Sequence, residues 1–445
     1  MAHASEAHAP GAHAPGSPAP GAGGTGLGRR FGLFRIAVLA SGLADGVYLV
    51  SVPLLALSLT GSPLAVAAVG VALRAPWLLM TLPAGVVVDR LPPLRLLRRA
   101  SAARLPLVVA LSVLAWCGLL PVWGLAAGAF LVGVCGTFVD LAAQSLVPHL
   151  ADRAQLPRAN ARLQTGQLLT AQFAGPALGG LLAACPGTGM AVAAVLYVTT
   201  LAGLEVLRRR LPAPPPAGAP VPDRSMRREL REGAAHLRHR RDLLGLAAVA
   251  ASGNLAFAAV TTMLPLWVVA PGRLGLPESA MGLVAAAPAV GGLLAGTAAA
   301  HLLRRFGARR VLMCCAPAAG LAHATIAVPS VVAALAAMAC YGALSVQLNV
   351  TSMSYRQSSI PAPLFGRVNA LYRWLILGVS PFGALLGGVA AERLGTGAVF
   401  LGAGALCLLT GTLLPALLFH PPAGTPGGVP AGVPRPVPTT HKESP

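Results

Sequence analysis

Twelve apolar runs divide the chain, each near the roughly 20 residues that an α-helix needs to cross a hydrocarbon layer. Numbered as spans 1 to 6 they are Phe34–Leu59, Leu64–Val88, Ala102–Leu120, Val122–Val147, Ala161–Ala184 and Met190–Leu207. After a polar break come spans 7 to 12, Leu243–Ala270, Ala280–Leu303, Val311–Val328, Val331–Ser352, Val368–Ala391 and Ala398–Phe419. The pattern predicts an all-α membrane protein of twelve transmembrane helices in two pseudo-symmetric bundles of six. Its predicted divisions are an N-terminal tail (1–30), a first bundle (31–207), a linker (208–242), a second bundle (243–420) and a C-terminal tail (421–445).

Composition agrees with the spans. Of 445 residues, 55% are hydrophobic and 10% charged, with a mean hydropathy of +0.71, where a soluble domain carries about a quarter charged residues. The formal charge of +20 would point to nucleic acid in a soluble protein, but its placement is topological. Thirty of the 33 Lys and Arg fall in alternate loops and the ends: Arg29, Arg30 and Arg35, five from Arg90 to Arg104, Arg153 to Arg162, ten from Arg208 to Arg241, Arg304 to Arg310, Arg356 to Arg373, Arg435 and Lys442. The opposite loops hold Arg273 and Arg393, and Arg74 lies inside span 2. By the positive-inside rule both termini are cytoplasmic. The expectation is a multi-pass protein of a bacterial cytoplasmic membrane, monomeric, with the lipid bilayer and no nucleic acid as partner.

Both tails, Met1–Gly28 and Pro421–Pro445, are Ala/Gly/Pro-rich and read as disordered; the first lacks the basic start and apolar core of a signal peptide. His3, His8 and His13 read as low-complexity drift rather than a metal site. The seven cysteines (Cys117, Cys135, Cys185, Cys314, Cys315, Cys340, Cys407) lie in or beside apolar spans without a C-x-x-C pair, so neither a disulfide framework nor a metal is expected. No cofactor is implied. The one lysine, Lys442, sits in the tail, so there is no P-loop, and no H-E-x-x-H or paired His/Asp cluster supports an enzyme.

The halves echo each other. Arg158-Ala-Asn160-Ala161 recurs 209 residues on as Arg367-Val-Asn369-Ala370, and Gly179-Gly180 recurs 208 on as Gly387-Gly388. The linker joins a stiff proline run, Leu211-Pro-Ala-Pro-Pro-Pro216, to a charged segment, Asp223 to Asp242, that reads as a surface helix. Two such halves around a midplane site are the architecture of many secondary transporters.

Four stretches carry a family resemblance: the loop Gly85-Val-Val-Val-Asp89-Arg90 with Arg95, the span 5 signature Gly175-Pro176-Ala-Leu-Gly179-Gly180, Phe138-Val-Asp140-Leu-Ala-Ala-Gln144, and Leu156-Pro157-Arg158-Ala159-Asn160. Over roughly Arg30 to His420 the chain resembles a major facilitator superfamily transporter of the bacterial drug, siderophore and macrolide exporter branch. It departs from the pattern where Pro92-Pro93-Leu94 displaces a Gly-Arg-Arg/Lys sequence and where Ala171 replaces a usual glycine. The resemblance implies a conformational gate at Gly85, Asp89, Arg90 and Arg95, with Asp89 meeting the start of span 11. Asp140 is placed to pair with Arg90 or Arg95; a solvated loop with an interfacial acid is the plainer alternative. It also implies proton antiport through the Gly175, Pro176, Gly179 and Gly180 motif, although small-residue packing alone also explains a Gly-Pro pair.

Asp45 and Arg74 are the charges near the midplane of the first half. Such groups are costly in the bilayer unless paired or wetted, and mark pathways. Their depths differ by roughly 4–5 Å at 1.5 Å rise per residue, so they are candidates for proton coupling, with Asp45 carrying the proton and Arg74 tuning it; a permanent ion pair is the structural alternative. Tyr48, Trp77, Asn254, Trp267, Gln347 and Asn349 are candidate walls of a substrate cavity, and each is equally explained by packing. The expected activity is export of a small, moderately lipophilic compound (a drug, siderophore or natural product) by proton antiport and alternating access. The alternative is a proton-coupled importer on the same fold.

Overall fold

In the computed structural model the chain is described over residues 27–211 and 226–418. The expectations for the two tails and for the proline run of the linker lie outside the described residues, as do several side chains inside helices, Asp89 among them. The first helices are Arg29–Leu59 (α1), Pro63–Arg90 (α2), Pro93–Trp116 (α3) and Val122–Leu146 (α4). Proline begins α2 and α3, where its missing N–H is no loss, and the Ser62 hydroxyl accepts from Ala65 N to cap α2. Because Pro93 sets its start, α3 begins nine residues before span 3. Its Arg95, Arg98 and Arg99 ride on the first helical turns instead of ending the helix.

Span 5 is a broken helix: Leu156–Gln167 (α5), a π-helical turn over Leu168–Ala174, then Gly175–Leu181 (α6). Pro176 has no N–H to give, and the Gly175 N–H reaches five residues back to Thr170 O, the spacing of a π-bulge. Thr188–Arg210 (α7) completes the first half. A polar surface helix, Met226–His239 (α8), leads into Arg241–Val268 (α9), Glu278–Thr325 (α10), Val331–Ser359 (α11), Ala362–Gly378 (α12), Ser380–Leu394 (α13) and Thr396–Leu418 (α14). Ten of the described segments are long and apolar enough to cross a membrane. The difference from twelve has two causes. The π turn breaks span 5, and α10 runs 48 residues through spans 8 and 9, bending at Gly307 (φ 74°, ψ 159°), a conformation that glycine alone adopts readily.

Packing divides the molecule. One buried cluster joins both halves and contains Val47 to Ala56 of α1, Val66 to Val69 of α2, Val260 to Val268 of α9 and Met281 to Ala287 of α10. A second, around Phe31, Val88, Leu97, Leu146 and Leu207, contains residues of the first half only. Two more, around Leu246 and Tyr372 and around Leu243 and Val368, contain residues of the second half, the latter joined by Leu237 of α8. The halves therefore meet at the end where α1 finishes and α2 begins, called here the closed end, and separate toward the other.

The repeated glycines build the closed end. Gly180 packs on Gly282 of α10, and Gly388 packs on Ala67 of α2, while their neighbours Gly179 and Gly387 pack within their own halves on Val47 and Ala259. The sequence repeat is thus two equivalent crossings between halves. Glu392 adds an exposed tie, accepting from Ser62 Oγ and Leu64 N at 3.4 Å each. Exposed pairs of this kind contribute little, so Glu392→Gln is expected to change transport less than about threefold, measured as initial rate in vesicles. Nearer the middle, Trp374 Nε1 donates to Leu78 O at 3.1 Å.

Candidate functional site

Asp45 and Arg74 belong to two separate polar sites in the apolar interior. Asp45 on α1 forms an ion pair with Arg104 on α3 and accepts a 2.7 Å hydrogen bond from the Tyr197 hydroxyl on α7. The Arg104 guanidinium also stacks 4.3 Å over the Tyr197 ring. Arg104 has 7% of its side chain exposed against 33% for Asp45, so the cation is the more enclosed partner. The guanidinium also lies against α4, where the Nη2 that pairs with Asp45 is 3.7 Å from the position a Cβ on Gly136 would take. Asp140 is one turn further along α4, on the same face, within the electrostatic reach of both Arg104 and Asp45. One cation is paired with Asp45 and lies within electrostatic reach of a second carboxylate on another helix.

Arg74 is not part of this cluster. Its Nη1 donates to Gly70 O at 3.0 Å and its Nη2 crosses to Thr261 Oγ1 on α9 at 2.9 Å. The pairing with Asp45 that their depths allowed does not form, because helical rotation turns Asp45 toward α3 and α7 and Arg74 toward α9. Sequence reasoning missed Arg104 by counting it among the loop arginines. With α3 starting at Pro93, Arg104 lies eleven residues, about 16 Å, into the helix. Tyr197 carried no charge to mark it.

Arg74 lines a cavity of about 420 Å³ between the halves, just inside the closed end. Its walls come from α1 (Leu49, Pro53), α2 (Val66, Gly70), the broken span 5 (Gln172, Pro176), α9 (Phe257, Thr262), α10 and α11 (Met338). None of the six expected wall residues lines it. Tyr48 is buried beside the Asp45 cluster, and Trp267 packs edge-on against Phe400 with ring centroids 5.4 Å apart. Gln347 donates to Ala299 O at 3.3 Å and Thr351 Oγ1 at 3.4 Å. Asn254 and Asn349 donate to carbonyls of their own helices, Ala250 O and Ser345 O, at 2.9 Å each. Those two line a smaller cavity of about 200 Å³ inside the second half, with Tyr341 and Arg356. Trp77 is half-buried and lines neither of these cavities. Asn254, Gln347 and Asn349 are taken up by nearby hydrogen-bond acceptors and Trp267 by a ring, and the cavity is walled mainly by aliphatic side chains. The available signal was Arg74 itself, since Val66 and Gly70 precede it at intervals of four on one helical face.

Of the gate residues, Gly85 is half-buried, while Arg90 ends α2 and Arg95 lies in the first turn of α3, both exposed. All are at the separated end. Among the described residues no ion pair joins Asp140 to either arginine; it lies within electrostatic reach of Arg104 instead. The motif residues Gly175, Pro176, Gly179 and Gly180 are all buried. A Cβ on Gly175 would come within 2.6 Å of Gly46 Cα, so α6 crosses α1 at the residue that follows Asp45. Small residues permit this approach, and it joins the Asp45 cluster to the helix that seals the closed end.

The cluster can be dissected by its bonds. Tyr197→Phe removes a hydrogen bond to a charged group, worth about 1.5–3 kcal/mol, but keeps the ring under Arg104. Arg104→Ala strands a carboxylate, which costs about 3–5 kcal/mol when fully buried and less for Asp45, with 33% of its side chain exposed. It also removes the stacking on Tyr197. Thermal unfolding in detergent is expected to rank them in that order, with the larger loss for Arg104→Ala.

The comparisons with known proteins agree with this architecture. The family model described as Major Facilitator Superfamily matches residues 35–372, with a second match over 268–442. Among curated proteins, the multidrug efflux pump Tap of Mycolicibacterium fortuitum is 28% identical over 404 residues, covering 86% of this chain and 94% of its own. Among solved structures, a point mutant of the nucleoside transporter NupG superposes with a TM-score of 0.69 at 12% identity, covering 88% of this chain and all of its own. A bacterial homologue of the iron transporter ferroportin in its inward-facing state gives 0.67 at 18% identity, covering 87% and 99%; in its outward-facing state it gives 0.58 at 18%, covering 88% and 98%.

Proposed function

The chain belongs to the Major Facilitator Superfamily, and from that premise we propose that it exports a small amphipathic compound across a bacterial cytoplasmic membrane in exchange for protons, by alternating access. The observation that carries the reading is the Asp45–Arg104–Tyr197 cluster, set against the Gly46–Gly175 crossing of α1 and α6. The efflux activity named for the relative Tap supports the direction.

In this reading there are twelve spans: α10 is two helices meeting at Gly307, and α5, the π turn and α6 are one broken span. The two bundles are units that rock about the closed end. Both termini are cytoplasmic, so the structure is inward-facing, and its higher similarity to the inward-facing ferroportin homologue supports that state. The Asp89 latch, with Gly85, Arg90 and Arg95, belongs to the opposite, outward-facing state. There a carboxylate at the start of a helix gains about 0.3–1 kcal/mol from free N–H groups and the helix dipole.

The chemistry at the cluster is a competition for one carboxylate. With Asp45 charged, Arg104 and Tyr197 tie α1 to α3 and α7. A proton on Asp45 removes the charge that holds Arg104, and Asp140, within electrostatic reach of the same guanidinium, becomes its partner. The loosened α1 bears on Gly175 and Pro176, and through α6 on the Gly180–Gly282 seal. A proton arriving from outside thereby stabilises one state, and its release to the cytoplasm the other. This linkage needs only a differential affinity for the proton in the two states.

The test is proton flux in inside-out vesicles with an acidic lumen, challenged with dyes, macrolides and siderophores. Substrate-evoked proton release together with substrate accumulation in the lumen is expected. Accumulation in right-side-out vesicles with an acidic exterior, and none in inverted ones, would contradict export and identify an importer.

A further inference from the structure

Arg74 has a charge that the protein does not neutralise. Among the described residues it has no acidic partner, and no Asp or Glu lines the cavity it faces. A guanidinium has five N–H donors; Gly70 O and Thr261 Oγ1 engage two of its nitrogens, leaving donors for a ligand. The surrounding wall is aliphatic and aromatic, relieved by Gln172, Thr261 and Thr262. An isolated cation in such a wall is costly unless a counter-charge arrives, and a guanidinium matches the two oxygens of a planar anion. The volume of about 420 Å³ falls in the range of drug-sized ligand sites.

From this we infer that the central cavity is built for an organic monoanion, a carboxylate on an apolar body, with Arg74 as its counter-charge. The inference rests on the proposed transport function for its biological use, but not for its test. A lipophilic cation would meet the same charge as Arg74 with no acid to offset it. A polyanion would leave charges unpaired against Phe257, Met281 and Met338. Arg74 also bridges α2 to α9 across the two halves. A carboxylate bound there competes with the Thr261 bond and so touches one of the contacts between the halves.

The test is equilibrium binding to the full-length protein in lipid nanodiscs. The probes are three fluorescent compounds of one shape: 9-anthracenecarboxylate, 9-anthracenemethanol and 9-anthracenemethylammonium. The wild type is expected to bind the carboxylate at least about tenfold more tightly than the alcohol, and the ammonium most weakly, since a charge-assisted contact is about twice as strong as a neutral one. Arg74→Gln removes the preference, Arg74→Lys retains part of it, and Thr261→Asp, which supplies an internal counter-charge, abolishes it with Arg74 still present. Thermal unfolding verifies each variant, and Thr261→Asp decides the matter if Arg74→Gln fails to fold. No preference in the wild type, preference for the ammonium, or preference surviving both Arg74→Gln and Thr261→Asp overturns the inference. Asp45→Asn is expected to leave the preference unchanged, so failure of proton coupling and failure of anion binding are told apart.

Discussion

Asp45→Asn is expected to abolish transport driven by a pH gradient while leaving substrate exchange intact. The amide keeps the shape of the carboxylate and a hydrogen bond with Tyr197, but it has no charge to hold Arg104 and no site for a proton. Losing a coupling of the usual size, about 1–3 kcal/mol, lowers gradient-driven accumulation by up to about a hundredfold. Counterflow needs only the substrate to cycle between sides, and should remain within about threefold of wild type. The pair of measurements separates coupling from folding, because a misfolded protein loses both. Arg74→Gln, by contrast, should leave the response to a pH gradient intact for a neutral substrate, since Arg74 lies in the cavity and not in the Asp45 cluster. Equal loss of counterflow and gradient-driven transport in Asp45→Asn would make Asp45 a structural partner of Arg104.

Gly180→Val is expected to prop the closed end open. A Cβ at Gly180 would lie 2.5 Å from Gly282 N and 2.6 Å from Gly282 Cα, both backbone atoms. Backbone cannot swing aside as a flexible side chain can, so the two halves must part. Overpacking costs about 1–3 kcal/mol, enough to move an alternating-access equilibrium by about one to two powers of ten. Transport should fall by at least tenfold. At the same time a cysteine placed at Val66, in a background lacking the seven native cysteines, should react with an impermeant thiol reagent from outside faster than in the parent. Gly388→Val, at the pseudo-symmetric crossing on Ala67, is expected to do the same. Reduced transport with unchanged labelling would assign Gly180 to folding instead.

The span positions were legible because nearly every crossing has one long apolar run, wherever its helix extends beyond it. Observed ends fall within a few residues of the runs for most spans, as at Val122–Leu146 against Val122–Val147. The start of α3 was not legible, since arginines on a helix that leaves the bilayer look like a loop. The repeat of Gly179-Gly180 in Gly387-Gly388 was legible, and the structure gives it a physical meaning. The partners of Asp45 and the walls of the cavity were not. A helix that is apolar all round has no polar face to fix its rotation, so the depth of Asp45 and Arg74 followed from counting residues while their directions did not. Tyr197 and Arg104 reach Asp45 through crossings of three helices far apart in the chain, and no local pattern records such crossings.

The proposed release of the closed end by a proton on Asp45 is tested most directly by distance. Spin labels at Gly61→Cys and Arg393→Cys, exposed positions on opposite halves at that end, report its width by pulsed electron resonance in the cysteine-free protein. On acidification the wild-type distribution is expected to shift toward longer separations, while Asp45→Asn gives one distribution at every pH. A separation in the wild type that ignores pH, or one that follows pH equally in Asp45→Asn, would contradict the account.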